Sequence, residues 1–180
     1  MAADAPDVSN LDGVVAEPIL TAMRKTSERL TQLGIRHALV GGLAVGAHGY
    51  PRATKDVDWL VGNEAFQLHE GGGVSMAPGV PIQFEGVAVD QLSIGDREQH
   101  LIEALQRAKV SNGIPVAPME ALVYLKIKSP RRKDAVDIVE FLRVRHLEID
   151  AVRNYVRTHA PNLLPKLEAL VEDATGEEEE

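Results

Sequence analysis

The chain has no cysteine among its 180 residues. That excludes disulfides, thiolate zinc sites and a cysteine nucleophile, and it suits a reducing cytoplasm. Aromatic residues are scarce at 4%, so a core must rest on Val, Leu, Ile and Ala. No apolar run approaches the roughly 20 residues needed to cross a bilayer. The longest, Ala38 to Ala47, is interrupted by three glycines. The N-terminal MAADAPDVSN is acidic, lacks an apolar segment and makes no signal peptide. These absences predict a cytoplasmic protein with no membrane partner. Positive charge is also in short supply: 19 Lys and Arg stand against 27 Asp and Glu, a net charge of -8. Half of that excess lies in Glu177 to Glu180, which reads as a solvated tail. Such a balance makes a poor general nucleic-acid binder, although one RNA docked on a local basic patch remains compatible with it. The six histidines include no His-x-x-x-His pair, and no Gly-x-Ser-x-Gly elbow is present. Gly71-Gly72-Gly73 is not followed by the Gly-Lys-Ser/Thr of a phosphate loop.

What the chain does have is concentrated in ALVGGLAVGAHGYPRATKDVDWLV, Ala38 to Val61. An apolar run stops at Gly41-Gly42, a short small-residue segment follows to His48, and Gly49-Tyr50-Pro51 breaks it. A polar loop then leads into Trp59-Leu60-Val61. The pattern reads as strand, glycine turn, short helix, loop, strand. Asp56 and Asp58 stand at i and i+2 of the second strand and so share a face. Paired carboxylates repel and need a counterion, and Mg²⁺ takes oxygen ligands together with substrate phosphates. Glycines at a helix start allow backbone N–H groups to approach a phosphate. Together these features point to phosphoryl or nucleotidyl transfer.

Gly-Gly, a short helix, Arg-x-Thr-x-Asp-x-Asp and an apolar strand, in that order, resemble the nucleotidyltransferase superfamily. The likeness is to its minimal bacterial and archaeal members, including toxin-type enzymes of abortive-infection and toxin–antitoxin systems. The resemblance implies an α+β fold, with a small mixed sheet flanked by helices and a helical C-terminal section. It also implies a third acid on a later strand and a helix lysine followed by a Lys-Asp pair. Asp90, mid-strand in VAVDQLS, supplies the acid; Lys126 and Lys133-Asp134 match the rest. On this likeness Asp56, Asp58 and Asp90 are catalytic and bind Mg²⁺ or Mn²⁺, with Asp90 as general base. Gly41, Gly42, Arg52, Thr54 and Lys126 bind the nucleotide. The activity implied is transfer of an NMP from an NTP to an RNA (tRNA included), a protein or a small molecule, with an antitoxin as a further partner. The alternative is a catalytically silent nucleotide- or protein-binding member acting as a partner subunit.

Each residue also has a plainer reading. Asp90 alone would be a partly exposed strand residue paired with a lysine or arginine, and unpaired burial there would be expensive. Gly41-Gly42 is a turn; Arg52 is a loop arginine; Lys126 belongs to an amphipathic helix face. Asp134 orients Lys126 or is a first-turn acid favoured by the helix dipole. Asp137 reads as a solvent-facing helix acid, and His48 as a packed or capping histidine.

Along the rest of the chain, residues 1–10 read as a loose start. Helices are expected over Glu17–Leu33, Asn63–Glu70, Arg97–Lys109, Met119–Ile127, Arg131–Arg143 and Ala151–His159, with a last one ending near Asp173. Asp150 reads as the cap before Ala151. Strands are expected over Ile35–Val40, Val80–Phe84, Val87–Ile94 and Gly113–Val116, with a tight turn at Glu85-Gly86. The organisation expected is a catalytic core over 1–113, a helical section over 114–175 packed on it, and an acidic tail over 176–180.

Overall fold

The computed structural model describes residues 5–145 and 148–176. The acidic run Glu177 to Glu180 lies outside the described residues, and Gly176 closes the last helix. After a 3-10 turn at Val8–Leu11, α1 runs over Glu17–Gln32. The expected loose start is in this part ordered, because Val8 and Leu11 are buried in the core. Pro18 sits in the first turn of α1, where a missing N–H is harmless. Gly34, with φ of +71°, turns the chain after its end.

β1 (His37–Val40), α2 (Gly41–Ala47) and β2 (Val57–Val61) follow as the pattern predicts. The expected helix over Asn63–Glu70 is instead a 3-10 turn at Asn63–Ala65 and a strand, β3 (Phe66–Leu68). β3 pairs antiparallel with β4 (Val74–Met76) around the Gly71-Gly72-Gly73 turn. β5 (Gln83–Phe84) and β6 (Val87–Leu92) form a hairpin whose two turn residues, Glu85 and Gly86, have φ of +47° and +84°. α3 (Gln99–Gln106) ends earlier than expected, and Lys109–Ser111 is a strand, β7, paired with β8 (Ile114–Val116). The chain closes with α4 (Met119–Ile127), α5 (Arg132–Val144), α6 (Ile149–His159) and α7 (Leu164–Gly176). Glu148, not Asp150, stands at the cap of α6.

The fold is α+β. Its main sheet has the order β5-β6-β2-β1-β8-β7 and is mixed: β2 with β6 and β1 with β8 are parallel, the other pairs antiparallel. β8 belongs to this sheet, so the position expected to divide core from helical section, 113/114, falls inside the β7–β8 hairpin. The helical section begins at Met119.

Two apolar clusters hold the molecule together. One joins α1 to the sheet; the other joins α2 and α4 to α5, α6 and α7. Trp59, fully buried, donates its indole N–H to Thr26 of α1 at 2.9 Å. Side chains alternate along a strand, so Asp58 must face away from α1. Among the described residues no helix is long and apolar enough to cross a membrane.

Candidate active site

The centre of the sheet places the acids. Parallel register sets Asp58 of β2 directly beside Asp90 of β6, so neighbouring carboxylates project from the same face. Asp56, expected two residues before Asp58 on the same strand, instead precedes β2 on the incoming loop, because pairing with β6 begins only at Val57 and pairing with β1 at Asp58. All three line one cleft of about 430 Å³. Among the described residues no lysine or arginine forms an ion pair with any of them. Asp58 registers the consequence. Burial, then the charge and hydrogen bond of Asp90, then the charge of Asp56 raise its pKa to about 7, against the opposing charge of Lys126. Asp90 is exposed rather than buried between its apolar neighbours, because Val87 and Val89 turn inward while Ala88 and Asp90 turn outward. The strain of burial falls on Asp58 instead.

The glycine pair forms the adjoining wall. Gly41 has φ of +68°, and a Cβ there would overlap the Asp58 carboxylate. Both the backbone and the close approach therefore require glycine. A Cβ on Gly42 would come within 3.0 Å of Thr54 Oγ1 and 3.1 Å of an Arg52 guanidinium nitrogen. The pair thus packs against three of the residues singled out in the sequence. No side chain caps the start of α2, which opens beside the acids as expected. His48, at its other end, is buried and shares a 2.8 Å hydrogen bond between Nε2 and the Ala117 carbonyl, the packed role expected of it.

Opposite the acids stands a cationic wall built on α4 and α5. Lys126 is only 8% exposed. Its ammonium donates to Asp134 at 3.0 Å and to Asp137 at 2.8 Å. Arg52 grips the same Asp137 with two donors, at 2.7 and 2.6 Å, and donates a third hydrogen bond to Ala53 O at 3.0 Å. Asp134 also accepts from Ser129 at 2.6 Å and Arg131 at 2.8 Å. Burial works to raise the pKa of Asp134, but these donors outweigh it and hold the group at about 2. Asp137 is lowered in the same way, by Arg52 and Lys126 against burial.

Asp56, Asp58, Asp90, Gly41, Gly42, Arg52, Thr54 and Lys126 all line this cleft. Asp137 is a correction: it is 2% exposed, the shared partner of two cations, and no solvent-facing acid. The signal was present in its spacing. Asp134, Asp137, Ile138, Phe141 and Leu142 are the buried residues of α5 and fall on one helical stripe. Lys126 is likewise no amphipathic-face lysine, since α4 is buried nearly all round. Arg131, Leu92, Leu122 and Leu125 join the lining without having been expected there, and so does Lys133, which the resemblance marked only as half of a Lys-Asp pair, without a role. Among the described residues no three His, Asp or Glu side chains are gathered about one point as a metal site.

No family model and no curated protein matches the chain. Among solved structures, the chain is similar to the crystal structure of an antigenic nucleotidyltransferase-like protein from Paracoccidioides brasiliensis. Identity is 18% and the TM-score 0.46, over 87% of this chain and 94% of that one.

Proposed function

We propose that this protein is a metal-dependent nucleotidyltransferase that transfers an NMP from an NTP to an acceptor and releases pyrophosphate. One observation carries the reading: three carboxylates with no ion-pair partner share a cleft with a glycine turn and a cationic wall. An unpaired, half-buried acid is expensive to keep for structure alone. The donor set is all oxygen and anionic, which fits Mg²⁺ or Mn²⁺. Asp56, Asp58 and Asp90 would hold the ion, which when bound would neutralise triphosphate charge and acidify a nearby hydroxyl.

The chain's own residues then divide the work. Gly41, Gly42 and Thr54 line the phosphate side of the cleft, and Arg52 and Lys126 add positive field to it. Asp90, exposed beside Asp58, accepts the proton of the attacking hydroxyl. The acceptor oxygen bonds to the α-phosphorus as the α–β bridging bond breaks, and pyrophosphate leaves with that electron pair.

The test is incubation with each labelled NTP, Mg²⁺ or Mn²⁺ and a mixture of tRNA, total protein and aminoglycosides. The expected result is label in one fraction, lost by orders of magnitude in Asp58→Asn. Label transfer that survives unchanged in Asp58→Asn would exclude this site.

A further inference from the structure

The four cations lining the cleft, Arg52, Lys126, Arg131 and Lys133, are not equivalent. All three nitrogen positions of Arg52 are engaged, two by Asp137 and one by a backbone carbonyl. The bidentate pair to Asp137, among the stronger contacts a protein makes, fixes the guanidinium in place and leaves it one N–H on each terminal nitrogen. The Lys126 side chain is 9% exposed and is held by two acids at once.

Arg131 and Lys133 differ on both counts. The Arg131 side chain is 74% exposed and commits only Nε, to Asp134. Lys133 is exposed and has no ion-pair partner among the described residues. Asp134 and Asp137 answer Arg52, Lys126 and Arg131 between them, so the surplus positive charge of the lining lies on Lys133 and on the exposed outer end of Arg131. The opposite wall carries three acids that no cation answers. A cleft polarised in this sense suits a metal-bound polyphosphate, with the ion toward the acids and the phosphate tail toward the cations.

We infer that Lys133 and Arg131 are the residues that bind the polyphosphate tail of the nucleotide, and that Asp137 holds Arg52 and Lys126 back as positioning residues. This assignment rests on the nucleotidyltransferase reading and gives two cations a binding role that the sequence pattern assigns to Arg52 and Lys126. The positioning role follows from connectivity. Asp137 of α5 joins Lys126 of α4 to Arg52, and Arg52 opens the loop that carries Thr54 and Asp56. The clamp therefore sets the distance between the helical wall and the loop acids, without itself touching substrate. Lys133 and Arg131, one residue either side of the first residue of α5, are free to follow a phosphate because nothing packs over them.

The experiment is equilibrium binding of ATP and, separately, of inorganic tripolyphosphate, each with Mg²⁺. The proteins are wild type, Lys133→Ala, Arg131→Ala, the double variant, and Arg132→Ala. Arg132 is exposed, lies between the two and does not line the cleft. A charge-assisted contact is worth about 1.5–3 kcal/mol, so each single variant should weaken tripolyphosphate about tenfold or more. The double variant should weaken it further, and Arg132→Ala should change it less than about twofold. Thermal midpoints of Lys133→Ala and Arg132→Ala should stay at the wild-type value, since those groups are exposed, while Arg131→Ala, which gives up its hydrogen bond to buried Asp134, should lower the midpoint slightly and leave the protein folded. Asp137→Asn should instead lower the midpoint, because buried Lys126 and half-buried Arg52 lose their common partner. Wild-type affinity in the folded double variant would overturn the assignment while leaving the nucleotidyltransferase reading intact. Equal losses in Arg132→Ala would reduce it to diffuse charge and overturn it too. No binding of either probe by wild type would remove both the assignment and the reading beneath it.

Discussion

The two walls of the cleft treat their acids in opposite ways. On the helical wall Asp134 and Asp137 are buried, and five side-chain donors from Ser129, Lys126, Arg131 and Arg52 stabilise their ionised forms. On the sheet wall Asp58 is crowded by Asp90 and Asp56, its carboxyl is pushed up, and no cation pairs with it. On the proposed function, the difference separates acids that position from acids that would hold a ligand. A folded chain satisfies the charges it needs for architecture; those it leaves unanswered mark the place where something else is to bind.

The largest way to break this contrast is to unbalance the satisfied wall. Lys126→Ala removes the buried cation that Asp134 and Asp137 share and leaves them to Ser129, Arg131 and Arg52; losing one partner of a buried ion cluster costs about 3–5 kcal/mol. Urea denaturation at neutral pH should show a loss of that size. A loss under about 1 kcal/mol would mean that water and the remaining donors, Arg52 among them, suffice for the two acids.

A second way is to relieve the frustrated wall. Asp58→Asn should raise the stability of the metal-free protein at pH 8 by about 1 kcal/mol. The pH profile gives the sign. The folded protein keeps a proton on Asp58 that the unfolded chain has already released, because its pKa of about 7 lies above the ordinary 3.8. Stability of the metal-free protein should therefore fall as pH rises from about 4 to about 7. Asp134, held at about 2, acts in the other direction: its contribution is present above pH 4 and is lost as pH falls toward 2. In Asp58→Asn the falling limb between pH 4 and 7 should flatten while the acid limb stays. Identical profiles for the two proteins would show that Asp58 is not under strain.

The smallest effect sharpens the comparison from outside the cleft. Lys128 bonds Glu98 at 2.7 Å, but its side chain is 42% exposed. Lys128→Ala should alter stability by less than about 1 kcal/mol, and a loss rivalling that of Lys126→Ala would mean that burial is not what separates the two lysines.

How much was legible varied with the kind of signal. The glycine break, the two acids and the strand around Asp90 stand out because each is a local irregularity in an apolar run. The β7–β8 hairpin was equally visible in principle: Asn112-Gly113, with φ of +47° and +81°, is a favoured two-residue turn. The apolar periodicity of α3 continued into Ala108 and hid it. The β3–β4 hairpin was harder, since its strands are three residues each and Leu68 and Val74 remain exposed. Asp137 was misplaced because a charged residue on an apolar stripe looks like an error in the stripe until its partner is known.

By itself the sequence determined the order of elements around the cleft, the backbone freedom at Gly41, and the closeness of Asp56 to Asp58 along the chain. These depend on near neighbours and on dihedral preferences that each residue carries with it. Only the tertiary structure decided which charges meet. Register put Asp90 beside Asp58, and packing of α5 on α4 brought Asp137 between Lys126 and Arg52, a residue 85 positions away along the chain. Ion pairing depends on distance and burial in space, and neither is written in the spacing of residues along the chain.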